Sequence, residues 1–134
     1  MLLLRSDGGA RGNPGPAGAG FVLEDSSGNE VEQGSEFLGK ATNNEAEYQA
    51  LILGMRAAQK HSPRELRCFL DSQLVVNQLN GLFRIKKAHL AKLVVKVREL
   101  ERGFKKVEYH YVPREQNGRA DKLVNKAIDE VLAD

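Results

Sequence analysis

The spacing of apolar residues changes once along this chain, and that change constrains the fold more than any other feature. Up to Leu38 the apolar residues fall in short runs without a helical period. From residue 45 onward most of them recur at i, i+3, i+4 and i+7. Residues 2–6, 19–24 and 30–38 read as strands. Asp7-Gly8-Gly9 closes the first, residues 11–18 form a Gly/Pro/Asn loop, and residues 25–29 have hairpin-turn composition. Three successive strands with no helix between them pair as an antiparallel meander.

The remainder alternates. Residues 45–60 carry a broad apolar face that includes Leu51, Leu53 and Met55, and Thr42-Asn43-Asn44-Glu45 has capping-box spacing at its start. Residues 66–70 are an apolar run of buried-strand length. Asp71-Ser72 caps a second helix running to about residue 80. Leu90, Leu93, Val94, Val97, Leu100 and Phe104 mark a third helix. Residues 107–112 alternate as a fifth strand, with Tyr109 and Tyr111 on one face. Ala120, Leu123, Val124, Ala127, Ile128 and Val131 form the stripe of a last helix. The order βββαβααβα gives a mixed five-stranded sheet with helices on both faces, a three-layer α/β fold. The 134 residues are expected to form one domain, residues 1–134.

Composition excludes several classes of function. The longest apolar run near the start, Leu2-Leu3-Leu4, is too short for a membrane span or a signal-peptide core. A single cysteine, Cys68, excludes an internal disulfide framework and a CxxC metal site, which leaves a reducing cytoplasm by elimination. With no Trp and eight Tyr plus Phe, the chain is poor material for a single-strand stacking platform. Net charge is only +2, yet residues 84–106 hold nine basic residues against Glu99 and Glu101. That segment carries +7 and the rest of the chain −5. Such asymmetry suits a polyanion docked on one element, or simply a solvated helix face.

Four acidic residues fall at element ends. Asp7 ends the first strand, Glu47 lies early in the first helix, Asp71 follows the fourth strand, and Asp121 lies in the first turn of the last helix. Each has an ordinary reading: Asp71 as an N-cap, Glu47 and Asp121 as anions at a helix N-terminus. In an α/β fold, however, such ends can converge on one sheet edge. Four carboxylates gathered there repel and need a cation, and all-oxygen ligands suit Mg²⁺ or Mn²⁺ rather than zinc.

The motifs around these residues resemble type 1 ribonuclease H. The run from Asp7 to Pro16, DGGARGNPGP, looks like the family's first signature, and Thr42-Asn43-Asn44-Glu45-Ala46-Glu47 is similar to its T-N-N-x-x-E block. Asp71-Ser72-Gln73 matches its D-S-Q block, and the Asp121 helix its fourth. The resemblance spans essentially the whole chain. It implies the ribonuclease H-like fold and hydrolysis of the RNA strand of RNA/DNA hybrids by two-metal-ion catalysis, leaving 5′-phosphate and 3′-hydroxyl ends. It implies Asp7, Glu47, Asp71 and Asp121 as catalytic residues and as ligands of two Mg²⁺ ions, with Mn²⁺ as a substitute. Glu45 competes with Glu47 for the site, but the two point about 200° apart on a helix, and the family spacing selects Glu47.

For substrate binding the resemblance implies Gly8, Asn13, Thr42, Asn43, Asn44 and Gln73. Amide side chains both donate and accept, which suits 2′-hydroxyls and minor-groove base edges. The same amides also suit caps and turns. Arg84, Lys86 and Lys87 are expected to hold the nucleic-acid backbone. The chain departs from many members in two ways. Residues 81–88 leave no room for a basic protrusion, and residues 114–120 contain no histidine. Arg114 stands nearest to where that histidine would come and is a candidate electrostatic aid to catalysis. His61, His89, His110 and Cys68 are expected at the surface or in packing. A monomer is expected, with a hybrid duplex as partner and no membrane. A DNA-cutting integrase or resolvase on this fold, or a non-catalytic hybrid-binding module, are the rival readings.

Overall fold

A computed structural model describes residues 1–133. Its elements are β1 (Leu2–Ala10), β2 (Gly15–Asp25), β3 (Glu30–Ala41), α1 (Asn43–Gln59), β4 (Glu65–Leu70), α2 (Gln73–Leu79), α3 (Ala88–Glu101), β5 (Lys106–Tyr111) and α4 (Gly118–Leu132), with a 3-10 turn at Arg114–Asn117. The sheet order is β3-β2-β1-β4-β5. The three N-terminal strands pair antiparallel, and β4 pairs parallel with both β1 and β5. This is the expected mixed five-stranded α/β fold. α1 packs on β1 and β2 with α3 beside it, while α4 lies across β2, β3 and β1. The main core, including Leu4, Leu51, Met55, Leu66 and Val97, fills the α1–α3 side. Among the described residues no helix is long and apolar enough to cross a membrane.

Strand boundaries are the main corrections. β1 does not end at Asp7; it runs on to Ala10, paired residue for residue with β2 down to Ala10↔Ala17. The Asp-Gly-Gly composition reads as a turn, but small residues facing small residues let the ladder continue under the helices. The expected loop at 11–18 shrinks accordingly to Arg11–Pro14, and β3 extends to Ala41. Phe104 is buried but lies beyond α3, and Tyr111, unlike Tyr109, is exposed at the end of β5. The eight residues 80–87 join α2 to α3 without a further helix.

Two glycines set how closely the helices approach the sheet. A Cβ on Gly8 would lie 2.0 Å from the carbonyl oxygen of Ala46 in α1. One on Gly20 would lie 2.6 Å from that of Ala120 in α4. No side chain fits either contact. Gly8 follows Asp7, and Gly20 pairs with Asp7 across the β1–β2 ladder. The two helices are therefore clamped onto opposite faces of the sheet at the level of Asp7.

Candidate active site

The parallel ladder between β1 and β4 ends at Ser6↔Leu70. Beyond it the strands part, and the next residue on each is an aspartate, Asp7 and Asp71. This is where an open α/β sheet offers a crevice. Glu47 comes from the second turn of α1, which starts with the predicted capping box. Thr42 Oγ1 accepts from Glu45 N at 3.2 Å, and Glu45 Oε1 accepts from Thr42 N at 2.9 Å. With Glu45 occupied there, Glu47 faces the sheet. Asp121 follows from α4, seated on Gly20. Asp7, Glu47 and Asp71 each offer a carboxylate oxygen, all within 4.8 Å of one another. Asp121 lines the same cleft, near enough for its charge to bear on Asp7.

The electrostatics follow from burial and crowding. Asp7 is 7% exposed and Glu47 5%. Burial, reinforced by the charges of Asp71 and Asp121, pushes the Asp7 carboxyl up to about 7. Burial, then Asp7 beside it, raises Glu47 well above the ordinary carboxylate range. Asp71 is raised by burial, with opposing pull from Asn117, Asp7 and Arg114. Glu47 Oε1 accepts from Gly8 N at 2.8 Å, whereas Glu47 Oε2 is buried without a partner. A buried carboxylate oxygen that lacks a donor, beside two further carboxylates, fits a hard divalent cation. The cluster is a candidate metal centre.

The remaining expected residues divide into three groups. Gly8, Asn43, Asn44 and Arg114 line the carboxylate cleft, joined by Arg11, Ser72 and Asn125. Arg114 Nη2 stands 3.6 Å from Asp121 Oδ1 with its side chain 80% exposed. Arg84, Lys86 and Lys87 lie instead in a neighbouring groove with Leu74, Leu82 and Phe83, and Asn44 borders both. The third group is at the rim. Asn13 Oδ1 accepts from Asn43 N, and Asn43 Oδ1 accepts from Ala10 N, both at 2.9 Å. Their capping and turn roles are thus real, but each Nδ2 stays available to donate. Gln73 is exposed at the start of α2, where Ser72 rather than Asp71 caps the helix. Asp71 is left free for the cluster.

Sequence reasoning missed Arg11 and Asn117. Arg11 reaches from the glycine-rich loop to α4, pairing with Asp129 at 2.7 Å and Asn125 at 3.2 Å. Its place inside the first motif was the available signal. Asn117 is 1% exposed against the backbone of Ser6, and only the folded chain reveals that position. His61, His110 and Cys68 stand clear of the cleft. The two histidines pair with Glu32 and Glu108, and the thiol is buried.

Residues 5–127 match the family model described as "Reverse transcriptase-like". The chain is 44% identical over 124 residues to a ribonuclease HI of Halobacterium salinarum, covering 92% of this chain and 62% of that protein. It is 41% identical over 129 residues to a bifunctional protein of Mycobacterium tuberculosis, covering 96% of this chain and 35% of that protein. The chain thus spans one to two thirds of the length of these relatives. Among solved structures, that of LC11-RNase H1 in complex with an RNA/DNA hybrid superposes with a TM-score of 0.94 at 38% identity, covering 98% of this chain and 99% of that one. Fold, motif blocks, clustered carboxylates and relatives agree: the chain belongs to the type 1 ribonuclease H family.

Proposed function

We propose that the chain is an endonuclease that hydrolyses the RNA strand of RNA/DNA hybrids. The observation that carries this reading is the clustered trio of buried Asp7 and Glu47 with half-buried Asp71, with an unpartnered oxygen on Glu47 and with Asp121 beside them. These four would hold two Mg²⁺ ions, or Mn²⁺ in their place. When bound, such ions supply an activated water and neutralise charge on the phosphoryl and leaving oxygens of an in-line displacement. Cleavage then leaves a 5′-phosphate and a 3′-hydroxyl.

The chain's own residues orient and hold. Gly8 N–H fixes one oxygen of Glu47 and leaves the other facing the cleft. The free Nδ2 groups of Asn13 and Asn43, together with Asn44 and Gln73, can donate to 2′-hydroxyls and base edges. Thr42 Oγ1 accepts from the backbone, so its hydroxyl proton remains for a phosphate. Arg84, Lys86 and Lys87 line a groove that shares Asn44 with the cleft, which suits the second strand of a duplex whose first strand is being cut. The Arg114 guanidinium assists departure of the leaving oxygen or product electrostatically. Action in a reducing cytoplasm, as a monomer with residues 1–134 forming one domain, completes this reading.

Incubation with labelled RNA/DNA hybrid, double-stranded DNA and double-stranded RNA, with and without Mg²⁺, tests this. The RNA strand of the hybrid is cut only when the cation is present. Cutting of DNA instead would support the integrase or resolvase reading. Tight hybrid binding without cleavage would support a non-catalytic module.

A further inference from the structure

Asn117 stands at the N-cap of α4, a position where an asparagine side chain ordinarily accepts from the first-turn N–H groups. It makes no such bond. Its side chain turns inward, and Nδ2 donates to the carbonyl oxygen of Ser6 at 2.8 Å. The same amide also favours the charged form of the Asp71 carboxylate, against the burial that raises it. Its Oδ1 is buried without a partner. The residue thus gives up a cap and buries an unpartnered oxygen, and both cost stability. Departures from local rules of this kind concentrate where function requires them.

The amide joins two of the elements that carry carboxylates, and the third lies next along the sheet. Ser6 is the last residue of β1 paired with β4 and immediately precedes Asp7. Asp71 opens the β4–α2 corner. Asp121 lies four residues after Asn117, so the turn that carries the amide feeds directly into the turn that carries the carboxylate. We propose that Asn117 is a positioning residue, whose buried amide pins the strand bearing Asp7 to the start of α4 bearing Asp121. It thereby fixes the spacing of the carboxylates for divalent cations. The effect on turnover rests on the nuclease reading above; the effect on cation binding does not.

Asn117→Ala and Asn117→Ser separate positioning from stability. Serine is as good an N-cap as asparagine but is too short to reach Ser6 O, so Asn117→Ser can restore the cap while losing the pin. Val97→Ala, in the core under α3, serves as a control for destabilisation alone. Each protein is titrated calorimetrically with Mn²⁺ well below its melting temperature and assayed on a hybrid. Both Asn117 variants should bind Mn²⁺ more weakly and lose kcat, on the order of tenfold or more, with little change in KM. Val97→Ala should melt earlier yet keep wild-type Mn²⁺ affinity and kcat. A folded Asn117→Ser with wild-type Mn²⁺ affinity would overturn the proposal. A wild-type chain that binds Mn²⁺ but leaves hybrids intact would sink the nuclease reading alone, and the Mn²⁺ titration would still decide the role of Asn117.

Discussion

The carboxylate cleft and the basic groove beside it share Asn44 and little else. In the cleft, Asp7 and Glu47 are buried, α1 and α4 are clamped by Gly8 and Gly20, and Glu47 is fixed by a backbone N–H. In the groove, Arg84, Lys86 and Lys87 are exposed on the link before α3, beside Leu82 at 71% and Phe83 at 51% exposure. Of the nine basic residues between 84 and 106, only Arg98 and Lys106 pair with a carboxylate among the described residues. The cleft crowds carboxylates at fixed spacing, and the groove leaves cations free for a partner. Chemistry requires positions held to a fraction of an ångström, whereas grip on a polyanion requires only charge within reach. The first region should therefore respond to substitution in turnover, and the second in affinity and salt dependence.

The largest expected effect is in the cleft. Asp7→Asn keeps the shape and removes one ligand charge, so hybrid turnover should fall on the order of 10³-fold or more with binding retained. Single-turnover cleavage with a separate binding titration checks this. Loss of binding along with turnover would blur the division between the two regions. In the groove, Lys86→Ala with Lys87→Ala should weaken binding to hybrids of any sequence. It should also flatten the slope of log affinity against log salt by about one to two units. An unchanged slope would move the footprint elsewhere on the +7 segment. Arg114 tests the boundary between the regions. Its charge is mostly solvated, so Arg114→Ala should lower kcat by at most about fivefold, the scale of an exposed charge pair, and raise KM less. A wild-type kcat would make Arg114 a surface residue.

What could be read in advance followed how local each feature is. The capping box at Thr42 and Glu45 lies within four residues and is visible in the sequence. Helix geometry also shows that only one of Glu45 and Glu47 can face the site, and the family spacing then selects Glu47. Asp7 was misread as the end of a strand because Asp-Gly-Gly is turn-like; its continuation depends on Ala17 and Gly18 across the ladder. Asp71 looked like a cap until Ser72 took that role. The cations of residues 84–87 were legible as charges, but not as a groove separate from the cleft. The pin at Asn117 joins residues 111 apart in sequence, and no local rule reaches that far.

The account's central claim is that the fold holds these carboxylates together against their own repulsion so that cations can bind. Asp7 carries the clearest signature, because its carboxyl is raised from an ordinary 3.8 to about 7. Between those values the folded, metal-free chain holds a proton that the unfolded chain has released. Its contribution to stability is therefore complete below about pH 4 and lost as the pH rises through about 7. Asp7→Asn has no such proton to lose. Melting curves of wild type and Asp7→Asn, in chelator and in Mg²⁺, test the claim directly. In chelator at about pH 8 the variant should be the more stable, on the order of 1 kcal/mol. That advantage should shrink as the pH falls towards 4, and added Mg²⁺ should narrow it by stabilising the wild type it binds. A variant less stable than wild type in chelator at about pH 8 would contradict the claim and make Asp7 mainly a structural hydrogen-bond acceptor.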